Sequence, residues 1–286
     1  MKKRIIFDVI IVGGGLAGLT SAIHLSKREK RVLLIEKNEY PKHKVCGEYI
    51  SNEVLPYLNS LGIDPISEGA KKITKVHIST IKSNLIKGEL PLGGFGMSRY
   101  FLDNLLVKKA RLNGVQILKD TVDSINFKKE SFTIITKNSG VFQSKITIGA
   151  FGKRSSLDQK MNREFIKKKS PYLAIKTHVK GLFPQNLVAL HNFKGGYCGV
   201  SKVENNAINV CYITEYRSFK KHKNITDFQE QVVFKNEHLK KIFKESTPVF
   251  EKPLTISQVS FQTKNPIENH IIMCGDTAGM IHPLCG

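Results

Sequence analysis

The sequence predicts an α/β protein in which a domain built on a parallel βαβ unit is interleaved with a second, β-rich α+β domain. Three observations predict it. Residues 7–12 (FDVIIV) are an apolar run broken only by Asp8, long enough for a buried strand and far too short to span a membrane. That run enters Gly13-Gly14-Gly15-Leu16-Ala17-Gly18, after which Leu16, Leu19, Ala22, Ile23 and Leu25 recur at helical spacing. Near the other end a similar run, His270 to Cys274, closes on Gly275-Asp276, so the chain leaves the first sheet and returns to it.

Each residue type in the first unit has a physical reason. Gly13 permits a tight turn, Gly15 lets the backbone approach a pyrophosphate, and Gly18 lets the helix pack closely on the strand. The amides at the start of the helix, at Leu16 and Ala17, then face the phosphates. A second apolar run, Val32 to Ile35, ends at Glu36, followed by Lys37. A carboxylate there accepts hydrogen bonds from a ribose 2′-hydroxyl and disfavours a 2′-phosphate, which suits the adenosine of FAD or NAD rather than NADP.

After Glu36 a polar loop carries Cys46, Gly47 and Glu48, and loops that leave the end of such a strand lie near the cofactor. Residues 73–81 and 85–90 read as short strands, with Val76 and Ile78 alternating against polar neighbours. Ser98 caps a helix with the apolar stripe Leu102, Leu105, Leu106 and Ala110, stopped by Gly114. Arg99 in its first turn is unfavourable against the helix dipole unless an anion lies nearby, which points to a phosphate contact. Residues 115–148 follow as strands with a hairpin around Lys137 to Gly140, and Ile146 to Gly149 runs into GAFGKRS.

The stretch 170–216 is β-rich. Thr226 and Gln229 predict a capping box for one helix with the face Phe228, Val232, Leu239, Ile242 and Phe243, and a strand is expected at 254–261. Residues 1–72, 92–168 and 263–286 are therefore assigned to the nucleotide-binding domain, and 73–91 and 169–262 to the second.

At 286 residues the chain can bury a large core. Lys and Arg number 45 against 24 Asp and Glu, a net charge of +21, which favours acidic ligands or anionic membranes. The lysines are scattered rather than gathered beside aromatics, and no nucleic-acid module is recognisable, so no specific nucleic-acid partner is expected. Five cysteines with no CxxC pair suit a reducing, cytoplasmic setting and argue against a disulfide scaffold or metal site. The opening MKKRIIFDVIIV imitates a signal peptide, but Asp8 interrupts it and no small-residue cleavage site follows. Membrane contact, if any, would be peripheral.

DVIIVGGGLAGL with Glu36, MSRYFLDNLLVKKA, GAFGKRS and IIMCGDTAGMIHPLCG, in that order, resemble the motifs of FAD-dependent oxidoreductases of the aromatic-hydroxylase fold. YPKHKVCGE and GDTAGMIHPLCG are most similar to the geranylgeranyl reductase branch. The resemblance implies a Rossmann-like FAD-binding domain with Gly13, Gly15 and Gly18 at the pyrophosphate, Glu36 at the ribose, Arg99 at the FAD phosphates and Gly275-Asp276 at the ribityl chain. It places Cys46 close to the flavin, where a thiol can donate a proton or shape the pocket, and Cys285 along the isoalloxazine.

Three departures from the family pattern stand out. Phe151 occupies a position where the family commonly has Asp, only Tyr197 is recognisable of the substrate motif near GGYCGVSKV, and there is no tryptophan, which excludes a tryptophan-rich flavin halogenase. Family members continue past PLCG into a helix aimed at the flavin, so a fragment is expected. The expected function is reduction of a carbon-carbon double bond in an isoprenoid or polyene lipid, with NAD(P)H bound only transiently because there is no second dinucleotide fingerprint. A flavin monooxygenase is the alternative enzyme, and a prenyl-lipid escort protein the non-catalytic one.

Overall fold

The computed structural model describes residues 6–281. In chain order its main elements are β1 (Ile6–Val12), α1 (Leu16–Ser26), β2 (Val32–Glu36), β3 (Tyr49–Ser51), α2 (Leu55–Ser60), β4 (Lys71–Ser79), β5 (Leu85–Gly96) and α3 (Arg99–Leu112). There follow β6 (Gln116–Lys119), β7 (Val122–Lys128), β8 (Ser131–Thr136), β9 (Val141–Gly149), α4 (Ser156–Lys160), β10 (Tyr172–Lys180), β11 (Leu187–Phe193), β12 (Gly196–Lys202) and β13 (Ile208–Glu215). The remainder is α5 (Tyr216–Phe219), α6 (Ile225–Gln231), α7 (Glu237–Lys244), β14 (Thr247–Pro248), β15 (Leu254–Val259), β16 (Ile267–Glu268) and β17 (Ile271–Met273).

The first sheet has the order β16-β17-β9-β1-β2-β6, with β7 and β8 as an antiparallel extension on β9. Its centre is parallel, with Val12 opposite Ile35 of β2 and Gly149 of β9. Both faces of β1 are covered. Val9 and Ile11 pack with α1 and α3, while Phe7, Ile10 and Val12 pack with Leu33, Ile35 and Phe132. Burial on two sides is why the strand is an unbroken apolar run rather than an alternating one. The returning strand pairs in parallel with β9, Ile272 opposite Ile148, so Gly275-Asp276 arrives beside the end of β9, next to β1.

The second sheet, β14-β10-β13-β12-β11-β4-β5-β3 with β15 also on β10, extends beyond 73–91 and 169–262. Tyr49 pairs with Gly96 and Lys71 pairs with Gly96 from the other side, so β3 and both ends of the β4–β5 hairpin belong to it. One face, carrying Leu173, Ile175, Val200, Val210 and Tyr212, packs on Phe228 and Leu239 of the helices. The opposite face turns Lys176, His178 and Asn209 toward the loop after β2.

Two local expectations need correction. The helix expected through Phe228 and Phe243 is two helices, because Asn236 is fully buried between them. Its Nδ2 donates to Ser79 Oγ, Thr80 O and Asn192 O, while its Oδ1 caps α7 by accepting from His238 N. The start of α6 is capped by Asn224, which accepts from Asp227 N, not by Thr226.

Candidate active site

The glycine turn is held by contacts that no side chain would allow. A Cβ on Gly13, whose φ is +108°, would lie 2.2 Å from Ala150 O, and one on Gly18 would lie 1.9 Å from Gly13 O. The turn is thus locked between β1, α1 and the end of β9. Helix α1 begins at Gly15 with no side-chain cap and no acidic residue in its first turn, so its leading amides and positive dipole end are free for an anion.

Two expected ligands converge on that turn. Arg99 Nη2 comes within 3.9 Å of where a Gly15 Cβ would be, and Gly275 packs against Ala17 so closely that its own Cβ would sit 2.7 Å from that residue's Cβ. Arg99 reaches the turn while bound at Nε and Nη2 to the two carboxylate oxygens of Asp103, at 2.8 and 3.0 Å. Burial works against its charge, but Asp103 more than offsets this and holds the guanidinium firmly protonated. The backbone around Asp276 is pinned by two buried cations: Lys264 Nζ donates to Asp276 O at 2.7 Å, and Arg163 Nη1 donates to Thr277 O at 3.0 Å.

At the other end of the turn, Glu36 accepts from Gly14 N at 2.7 Å, from Asn38 N at 2.8 Å and from Asn38 Nδ2 at 2.6 Å. Two carboxylate oxygens have about four acceptor positions, which leaves room for a ribose hydroxyl. A cavity of about 180 Å³ adjoins it, lined by Glu36, Tyr40, Arg111, Ile117 and Lys119 among others. Lys37 is exposed, and the cations on this cavity are Arg111 and Lys119 instead.

Cys46 lies on a turn pinned at three points. Lys44 Nζ binds Asp103 at 2.7 Å, Glu48 Oε1 accepts from Arg99 N at 2.8 Å, and Asn209 Nδ2 donates to Cys46 O at 3.2 Å and Gly47 O at 2.7 Å. Glu48 also meets two residues of β10: Lys176, fully buried, donates to Oε1, and His178 Nε2 lies 2.7 Å from Oε2. Desolvation pulls the Glu48 carboxyl up, but the hydrogen bond from His178 and the charge of Lys176 outweigh it and hold the group below the usual carboxylate range. His43 stacks on Tyr100 and packs against Phe250, and burial lowers its basicity.

Desolvation pushes Cys211 of β13 up to about 12, so it stays a thiol and a poor nucleophile. Cys285 lies outside the described residues. Tyr197 is on β12, opposite Ile213, and shares a sheet face with Ser201, the cross-strand neighbour of Asn209. Among the described residues no group of His, Cys, Asp and Glu is placed to hold a metal ion, and no helix is long and apolar enough to cross a membrane.

Of the residues expected at the cofactor, the structure brings Gly15, Ala17, Arg99 and Gly275 together. Glu48, Lys176, His178 and Asn209 form a group on the Cys46 loop that no sequence motif marks. The available signal was Lys176 and His178 inside the otherwise apolar run YLAIKTHVK, where alternate residues turn to the opposite face.

The family model described as FAD dependent oxidoreductase matches residues 8–45. An uncharacterized protein of Methanosarcina barkeri is 31% identical over 166 residues, 57% of this chain and 41% of that protein. A digeranylgeranylglycerophospholipid reductase of Methanococcus vannielii is 25% identical over 297 residues, 98% of this chain and 72% of the relative. The chain therefore spans from two fifths to under three quarters of these relatives' lengths. Among solved structures, a flavin-dependent brominase superposes with a TM-score of 0.82 at 20% identity, covering 98% of this chain and 74% of the brominase. The expected α/β fold and the resemblance to FAD-dependent oxidoreductases are borne out.

Proposed function

We propose that this chain carries the FAD site of a reductase that draws on NAD(P)H and saturates a carbon-carbon double bond in an isoprenoid or polyene lipid. The observation that carries the reading is the convergence of four separate segments: the Gly13–Gly18 turn, Arg99, Gly275-Asp276 and the Cys46 turn. The residues suit the cofactor. The uncapped start of α1, with Leu16 and Ala17, and the Arg99 guanidinium would hold the pyrophosphate, Glu36 the ribose and Asp276 the ribityl chain. When bound, FAD would supply the hydride that adds to one carbon of the double bond.

The chain's own part in the chemistry is to complete that addition. The second carbon requires a proton, and the Cys46 thiol, on a pinned turn beside the α3 N-terminus, would give it and regain it from water. Tyr197, on the sheet face toward this turn, would contact the substrate. The basic surface favours an anionic lipid or membrane as the source of that substrate. The similarity to a digeranylgeranylglycerophospholipid reductase supports the substrate class.

The test is anaerobic turnover of the full-length protein with NADPH and prenylated acceptors. Oxidation of NADPH matched by loss of acceptor double bonds supports the reading. Turnover that requires oxygen and yields hydroxylated product would replace it with a monooxygenase, and tight lipid binding by a colourless protein would replace it with an escort.

A further inference from the structure

We propose that Asn209 and Glu48 are positioning residues for the Cys46–Gly47 turn, so that the polar face of the second sheet takes part in setting where the thiol stands. The proposal rests on the reading above for why that position matters. The geometry itself does not depend on the cofactor.

Asn209 is fully buried on β13, yet it reaches across to the loop and gives both Nδ2 hydrogens to consecutive carbonyls, Cys46 O and Gly47 O. Its Oδ1 is buried with no partner. A buried amide that leaves its acceptor unsatisfied in order to hold two loop carbonyls is oriented for those carbonyls. Glu48 follows the turn directly, in the left-handed region at φ +57°, and its carboxylate is shared among Arg99 N, Lys176 and His178. A non-glycine residue keeps that conformation only where its surroundings over-determine it. Gly47 itself is exposed, and nothing lies within 4 Å of where a Cβ on it would stand, so the pinned turn borders open space on one side and the polar face of the second sheet on the other.

The experiment is site-resolved alkylation by iodoacetamide, followed by mass spectrometry, on the folded full chain. Cys274, which is also partly exposed, serves as an internal reference. Asn209→Ala and Glu48→Gln are expected to raise the rate at Cys46 about tenfold without changing Cys274, since losing such supporting contacts loosens a site locally. Ser201→Ala, altering the cross-strand neighbour whose hydroxyl makes no hydrogen bond to the turn, is expected to leave both rates alone. If Asn209→Ala fails to fold, Asn209→Leu, which fills the same volume without the two amide donors, is expected to give the same selective rise. Unchanged rates at Cys46, or equal rises at Cys46 and Cys274, would overturn the proposal. A wild-type protein without flavin bands would sink the reductase reading while leaving the alkylation comparison intact.

Discussion

Glu36 Oε2 accepts a hydrogen bond from Gly14 N at 2.7 Å, tying the acid that ends β2 to the turn that follows β1. The same carboxylate therefore shapes the glycine turn and faces the adjoining cavity proposed to take the adenosine. Glu36→Gln presents an amide in place of one acceptor and is expected to weaken FAD binding about tenfold, or about 1.4 kcal/mol. Titration of apoprotein with FAD, followed by fluorescence quenching, measures it. An unchanged dissociation constant would remove Glu36 from the site.

Gly18→Ala tests the close packing of α1 on the turn. The added methyl would meet Gly13 O at 1.9 Å, a backbone atom that cannot swing aside. The expected outcome is a loss of about 1–3 kcal/mol in urea denaturation, together with protein purified without flavin. Full flavin content would show that the turn tolerates displacement.

Asp103 is fully buried between Arg99 and Lys44. Asp103→Asn leaves the Arg99 guanidinium, itself largely buried, without its counter-charge, and about 3 kcal/mol of stability should be lost. A chemical denaturation midpoint unchanged from wild type would contradict this account of how Arg99 is held.

His191 predicts an acid-sensitive step. It is buried in the second sheet, hydrogen-bonded through Nδ1 to Ser79 Oγ at 2.8 Å, and burial lowers it from 6.5 to about 4. The folded protein keeps the ring neutral while the unfolded chain takes up a proton as pH falls below 6.5, so this contribution is present above that pH and lost toward 4. Stability should drop by about 2 kcal/mol between pH 7 and pH 5, and His191→Gln should flatten that slope. Parallel urea melts of both proteins at the two pH values decide it.

The parts legible in the sequence are those with local causes. The β1–α1–β2 unit, the Ser98 cap of α3 and the hairpin after Thr136 are written in short-range patterns of apolar runs, caps and glycines. The break between α6 and α7 was not legible, because the apolar spacing continues across it, while the chain leaves helical geometry at Val232 and Asn236, held by Ser79, Thr80 and Asn192, starts α7 anew. Glu48, Lys176 and His178 were hidden for the same reason: they are separated by 128 and 130 positions and meet only when the segment leading into β3 folds back over β10. Arg99 was half legible. An anion near its helix start was anticipated, and the structure supplies Asp103 one turn along the same helix as well as the glycine turn it faces.

The residues from Gly13 to Glu36, with Arg99 and Asp276, are proposed to hold an FAD that NAD(P)H can reduce. The most direct measurement is an absorbance spectrum of the purified full-length protein, recorded anaerobically before and after NADPH is added. The account predicts flavin bands that bleach on addition. A spectrum with no flavin bands, even after incubation with FAD, would contradict it.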